Sequence, residues 1–191
     1  MSIPTLNTER LILRPWREGD RAPFAALNSD THVMEFLGSP LSREQSDAMV
    51  DRIVAKWDSD GTGLWAVEVR GGAEFIGFIG LALQTFPSHF TPCIEVGWRL
   101  GRDWWGQGFA PEGALEALRY GFEVRHLDEI VSMTTVGNTK SRRVMEKIGL
   151  HCDERDDFEH PNVAAGDPLR QHVLYRRSRS DWFASASRPV I

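Results

Sequence analysis

Glu95-Val96-Gly97-Trp98-Arg99-Leu100, followed four residues later by Trp105-Gly106-Gln107-Gly108-Phe109-Ala110-Pro111, is the stretch on which the fold turns. The first part reads as a strand over Cys93–Leu100. The second reads as a glycine-rich turn over Gly101–Ala110 that opens a helix at Pro111, since proline suits the first helical position. Gly106 and Gly108 let the backbone turn tightly and approach a ligand with no Cβ in the way. The N–H groups of the helix start have no acceptor within the helix and converge on one point. With the helix dipole they suit an anion, most naturally a phosphate or pyrophosphate. Taken alone, G-x-G-x-A fits an ordinary compact strand-to-helix turn equally well. No Gly-Lys-Ser/Thr follows, so it is not a P-loop. As a dinucleotide site it is weak, because the spacing is not G-x-G-x-x-G and the strand follows three antiparallel-looking strands.

Outward from this stretch, Glu9–Arg14 reads as a strand with Leu11 and Leu13 on one face, ended by Pro15. Asp20 is a plausible N-cap for a short helix through Asn28, with Pro23 tolerated in its first turn. Ser42-x-x-Gln45 is a capping box, followed at helical spacing by Met49, Ile53 and Trp57 with Val50 and Val54 beside them. Leu64–Arg70 alternates as a strand, Gly71-Gly72 is a hairpin turn, and Phe75–Leu83 is apolar enough for a central strand. Gln84–Pro92 is a loop. After the glycine turn the helix has Leu115, Leu118 and Phe122 as its inner face, backed by Ala114 and Ala117. Ile130–Thr134 is a strand, Asn138–Ile148 a helix stopped by Gly149, and His172–Arg176 a last strand. The order implies an α/β sandwich of mixed sheet and helices, one domain over residues 1–191.

Composition narrows the function. Of the 191 residues, 41% are hydrophobic and 26% charged, ordinary for a soluble globular chain, and the net charge of −5 argues against a general nucleic-acid binder. No apolar run approaches the ~18–20 residues of a membrane span. The opening MSIPTLNTERLILR lacks the apolar core of a signal peptide, so a cytoplasmic protein is expected. Two cysteines, Cys93 and Cys152, make neither a disulfide scaffold nor a cysteine-rich metal site. His32, His89, His126 and His151 show no ligand spacing, so no metal is expected.

A second segment decides between the readings of the glycine turn. Asn138-Thr139-Lys140-Ser141-Arg142-Arg143-Val144-Met145-Glu146-Lys147-Ile148-Gly149-Leu150 opens a helix directly after the next strand. Together with Glu95–Leu100, Gly106–Ala110 and the opening Thr8–Arg14, it resembles the GNAT superfamily of acetyl-CoA-dependent N-acetyltransferases. Within it the chain is similar to the ribosomal-protein N-terminal acetyltransferases. The resemblance covers about residues 6–150. Residues 151–191 look like a subset of such enzymes. It implies the GNAT-like fold, a mixed, mostly antiparallel sheet flanked by helices.

The resemblance also implies site roles. Backbone N–H groups of Gly106, Gln107, Gly108, Phe109, Ala110 and the turn into Pro111 would bind the coenzyme A pyrophosphate. The end of the strand, Trp98, Arg99 and Leu100, would pair its backbone with the pantetheine arm like an added strand. Asn138 would hold the pantetheine amide. Trp105 stands where the family's loop usually has Gln or Arg, and Met145 where many relatives carry an acidic tyrosine. Ser141 is the hydroxyl that remains, as proton donor to the leaving thiolate or as a coenzyme A contact; its other reading is a helix cap.

Direct transfer needs a neutral amine, so a base is required. Glu95, set in an apolar strand, is the candidate; burial would raise its pKa toward the useful range. The competing reading is a structural glutamate paired with Arg99. His172 and His160 are rival bases. A backbone N–H near Trp98 or Arg99 would stabilise the oxyanion, and Gly97 is where a bulge would free it. Lys140, Arg142 and Arg143 form the dense basic cluster, suited to coenzyme A phosphates or to a solvated helix face. Phe86, Phe90, Trp98, Trp104 and Trp105 surround the site in sequence and would supply apolar walls to an acceptor pocket. The expected activity is acetyl transfer from acetyl-CoA to a primary amine, of a small molecule or a protein N-terminus, by direct attack in a ternary complex. Both cysteines lie outside the motifs, so nothing suggests a covalent intermediate. The alternative is a non-catalytic acyl-CoA-binding or sensory protein on the same fold. A monomer or homodimer is expected.

Overall fold

A computed structural model describes residues 3–186; the ends of the expected domain, residues 1–2 and 187–191, lie outside the described residues. Strands are β1 Leu6–Asn7, β2 Leu11–Arg14, β3 Leu64–Val69, β4 Gly77–Gln84, β5 Cys93–Leu100, β6 Glu129–Thr135, β7 His151–Cys152, β8 Phe158–Glu159 and β9 Gln171–Ser178. Helices are α1 Arg21–Ser29, α2 Thr31–Met34, α3 Arg43–Asp60, α4 Phe109–Arg119, α5 Thr139–Lys147 and α6 Arg179–Ala186. The strands form one sheet in the order β1-β2-β3-β4-β5-β6-β9-β7, with β8 also on β9. Every pairing is antiparallel except β5 with β6, which is parallel. This mixed, mostly antiparallel sheet flanked by helices is the architecture expected, and it is no doubly wound parallel sheet.

Strand alternation gives β5 two different faces. Val96 and Leu100 enter a core with Ile79, Ala114, Ala117 and Leu118 beneath α4. The helix lies so close to the sheet that a Cβ at Gly113 would stand 2.5 Å from Ile79 Cδ1. On the opposite face α1 and α3 cover Phe78 with Phe24, Leu27 and Val50. The capping box of α3 forms as read, Ser42 Oγ accepting from Gln45 N and Gln45 Oε1 from Ser42 N.

Several expectations need correction. Gly108, at φ +83°, is the N-cap of α4, so the helix begins at Phe109 and Pro111 is its third residue, where the missing N–H is still harmless. Leu115 is exposed, as is Val54; the inner face of α4 is Ala114, Ala117 and Leu118, and Phe122 lies in a π-helical turn that extends it. β4 starts at Gly77, because Phe75 turns off the strand to pack on Trp16 and Phe24. Gly97 marks no bulge: β4 and β5 pair without a break from Gly77↔Leu100 to Gln84↔Cys93. Asp20 does not cap α1 through its side chain. It accepts from Arg17 N and forms a two-pronged pair with Arg14 at 2.8 Å, with both residues about 3% exposed. That pairing, first among the causes, raises the Arg14 pKa above its usual value.

Removing Asp20 would leave Arg14 buried with Glu68 as its remaining carboxylate. Asp20→Ala is expected to cost about 3–5 kcal/mol, the range for breaking a buried pair from one side. Urea unfolding of both proteins measures it, and a loss under 1 kcal/mol would contradict the assignment.

Candidate active site

β5 and β6 share a single registered pair, Glu95↔Val131. Beyond it β5 continues to Leu100 beside β4, and β6 to Thr135 beside β9. The two strands part, and each leads to a helix start, Gly108 for α4 and Asn138 for α5. A cleft of about 330 Å3 opens between them. Trp98, Arg99 and Leu100 line it from β5, and Gly106, Gly108, Phe109, Ala110 and Pro111 from the glycine turn and α4. Asn138 and Ser141 line it from α5, and His32, Val33 and Phe36 from α2 and the residues after it.

The turn is built to present N–H groups. Gly106 and Gly108 both have positive φ, a conformation that side chains with a Cβ avoid. Among the described residues, no backbone carbonyl takes the N–H of Gly106, Gln107, Gly108, Phe109 or Ala110. Gln107 does not line the cleft: its side chain donates to Asp103 O at 2.7 Å, and its carbonyl accepts from Arg10 Nη1. Arg10 also pairs with Glu112 at 2.6 Å and stacks over Phe109, while Thr8 Oγ1 donates to Glu112. Sequence reasoning missed this clamp. Its signal was present in Thr8 and Arg10, which hold the glycine turn through Gln107 O and Glu112.

α5 supplies the other wall. Asn138 caps it, Oδ1 accepting from Ser141 N, and its amide donates to Thr134 Oγ1. The side chain is thus partly committed, with one amide hydrogen left to offer. Lys140, Ser141, Arg143, Val144 and Lys147 face the cleft at helical spacing. Lys140 Nζ lies 4.3 Å over the Trp105 ring, whose indole N–H donates to Leu100 O. Arg142 points elsewhere, to Tyr175 Oη and Val136 O, so Lys147 replaces it in the basic set. Met145 is buried in the core, so its position offers the cleft nothing.

Glu95 lies at the point where the strands part, on the face opposite Val96, and is not among the residues that line the cleft. Its carboxylate accepts from Gln84 Nε2 at 2.7 Å and from the Met133 N–H. Burial dominates, and raises its pKa to about 7. Arg99 is not its partner: the guanidinium turns to Asn28 Oδ1, 2.6 Å away. His160 and His172 sit together, ring centroids 5.0 Å apart, among Phe86 and Phe158 and outside the cleft. Burial lowers both pKa values. The aromatic set therefore divides: Trp98, Trp104 and Trp105 line the cleft, while Phe86 and Phe90 pack with Phe158. Burial, then Glu95, holds the Cys93 thiol up at about 11, far from a thiolate at neutral pH. Among the described residues, no helix is long and apolar enough to cross a membrane.

A strand pair opened onto two helix starts, with unpaired backbone donors at the cleft, is suited to an anionic ligand held by the backbone. The family model described as acetyltransferase (GNAT) domain matches residues 10–151, and the chain belongs to that acetyltransferase family. The FsC-acetyl coenzyme A-N(2)-transacetylase of Aspergillus fumigatus is 32% identical over 190 residues, covering 94% of this chain and 78% of that protein. The solved acetyltransferase of Agrobacterium tumefaciens superposes with a TM-score of 0.74 at 29% identity, covering 93% and 95% of the two chains. A ribosomal-protein alpha-N-acetyltransferase in complex with coenzyme A shares the fold, with a TM-score of 0.76 at 14% identity over 93% and 99%.

The glycine turn yields a test. A Cβ at Gly108 would meet Arg10 Nη2 at 3.2 Å, and its φ of +83° is strained for any branched residue. Gly108→Val is expected to weaken coenzyme A binding, read by titration calorimetry, by about tenfold or more, the equivalent of ~1.4 kcal/mol. Unchanged affinity in a folded variant would remove the turn from the cofactor site.

Proposed function

We propose that the protein transfers an acetyl group from acetyl-CoA to a primary amine, of a small molecule or a protein N-terminus, by direct attack in a ternary complex. The observation that carries the reading is the Glu95 carboxyl, held near neutrality where β5 and β6 part above it. The residues at the cleft fit the cofactor. Gly106, Gly108, Phe109 and Ala110 offer free N–H groups to a pyrophosphate, and the open edge at Trp98–Leu100 offers a backbone to a pantetheine amide. Lys140, Arg143 and Lys147 offer cations to a molecule rich in phosphate. Acetyl-CoA would supply an activated thioester carbonyl.

The remaining work falls to the chain's own groups. Glu95 accepts the proton of the incoming ammonium, directly or through one water, and is ionised for this above about pH 7. A backbone N–H on the unpaired edge of β5 faces the carbonyl oxygen as charge develops there. The parting of the strands frees that donor. Ser141 Oγ, on the first turn of α5, gives a proton to the departing sulfur and regains one, directly or through water, from the nitrogen, which sheds its second proton as the amide forms. A non-catalytic acyl-CoA-binding protein would need the glycine turn alone and gives no reason for a glutamate with a raised pKa at this point.

Glu95→Gln keeps the shape and removes the base, so kcat is expected to fall about 10²–10⁴-fold. In the native enzyme kcat/KM should rise with pH through about 7 as the raised Glu95 carboxyl ionises; this limb should vanish in the variant. Ser141→Ala should lower kcat less, because water reaches a thiolate and coenzyme A is a good leaving group. Steady-state rates from pH 6 to 9, following thiol release over a panel of amines, decide the matter. Native kcat in Glu95→Gln across that range would promote His172 or His160. Tight acetyl-CoA binding with no amine acetylated would favour the binding protein.

A further inference from the structure

Arg99 is a half-buried cation at the cleft with no carboxylate beside it. It lies on β5 four residues from Glu95 and on the same face, about 13 Å along the strand at 3.3 Å per residue. Its side chain passes beneath α1 and α3, against Phe78 and Met49, and lines the cleft beside Val33 and Phe36. Of five donors, the hydrogen bonds formed are Nη1 to Asn28 Oδ1 at 2.6 Å and a weak one to Met49 Sδ at 3.9 Å. Nε is buried with no acceptor. Among the described residues no carboxylate pairs with it. Arg14, more deeply buried, has both Asp20 and Glu68.

The group is held in place. Asn28 is itself fully buried, and its Nδ2 donates to Ser46 Oγ at 2.9 Å, so the oxygen facing Arg99 is fixed between α1 and α3. A neutral amide orients the guanidinium and leaves its charge unbalanced. Burial alone drives its pKa down to about 10, with no anion acting the other way. A half-buried arginine that is oriented and has no carboxylate partner at a cleft is free to take its counter-ion from a ligand.

We propose that the side chain of Arg99 binds a carboxylate of the acceptor, so that the preferred substrates are acid-bearing primary amines. The inference rests on the acetyltransferase reading of the cleft and adds the acceptor's class to it. The geometry divides the labour of β5: its backbone edge serves the pantetheine, Glu95 serves the amine, and Arg99 serves an anion on the same face. Carboxylate fits the planar fork of guanidinium two-pronged, as Asp20 already does on Arg14. A cofactor phosphate is the other source of anionic oxygen.

The test uses matched acceptors with acetyl-CoA: ω-amino acids from glycine to 6-aminohexanoate against their carboxamides, and short peptides with glutamate against glutamine beside the N-terminal residue. In the native enzyme kcat/KM should favour the carboxylate member about 10–100-fold in the pairs that are turned over. Arg99→Gln should reduce that ratio to about threefold or less, and Arg99→Lys should restore part of it, which a merely structural arginine would not do. Equal rates for carboxylates and carboxamides in the native enzyme overturn the inference whatever the variants do, and leave the acetyltransferase reading intact. So does a preference that survives in Arg99→Gln. A rise confined to the acetyl-CoA KM, with acceptor discrimination intact, would assign the guanidinium to a cofactor phosphate. A protein that acetylates nothing in any panel fails both readings.

Discussion

The parting of β5 from β6 above Glu95 and Val131 is the constraint on which the site depends. β5 gives its other edge to β4 over eight positions, and β6 gives its other edge to β9 over seven. Each strand therefore has one unpaired edge, and the two face one another across a gap. Backbone donors on such an edge have no protein partner and can be taken up by a ligand in the cleft. The helix α4 adds to this, since it begins at the gap with first-turn N–H groups that no carbonyl takes, whereas in α5 the N–H groups of Thr139 and Ser141 go to Gly137 O and Asn138 Oδ1. Trp105 sits across the gap, its indole on Leu100 O and Lys140 over its ring, and ties the two walls together.

The same strand places two charges in low-polarity surroundings, and burial moves them in opposite directions. It raises the Glu95 carboxyl to about 7 and lowers the Arg99 guanidinium to about 10. Had they been neighbours they would have satisfied each other, and Glu95 would be a fixed anion with no proton to exchange at neutral pH. Four residues of extended chain keep them apart. At ~13 Å and an effective dielectric of ~20 their attraction is only about 1.3 kcal/mol, too little to cancel the desolvation of either. Chain geometry thus preserves one group poised to titrate and one permanent cation.

Much of this was legible in the residues. The capping box of α3, the glycine turn after β5 and the Asn138 start of α5 are local signals, decided by the hydrogen bonds of adjacent residues, and they appear where the sequence puts them. The misreadings share a different cause. Pro111 marked a helix start, but the turn itself closes two residues earlier, because Gly108 takes the left-handed conformation that ends it. Leu115 fitted the helical period, yet the sheet meets α4 along its small residues, where Gly113 allows the closest approach. Gly97 suggested a bulge as the source of a free N–H; the freedom comes instead from β6 leaving, a contact between residues 36 apart in sequence that no local pattern carries. Arg142 and Lys147 exchanged places because helical phase relative to the cleft is set by Tyr175 on β9.

β9 also shows why the end of the family likeness at residue 151 is not the end of the domain's logic. It pairs with β6 over Glu129–Thr135 and carries β7 and β8 on its other side. Val173, Leu174 and Tyr175 are buried, and Arg177 Nη1 donates to Ile148 O, closing the end of α5. The segment from 152 onward therefore fixes both the strand and the helix that form one wall of the cleft. Without β9, β6 would have no partner on either edge above Val131, so the strand that lies outside the cleft lining is what anchors this wall to the sheet.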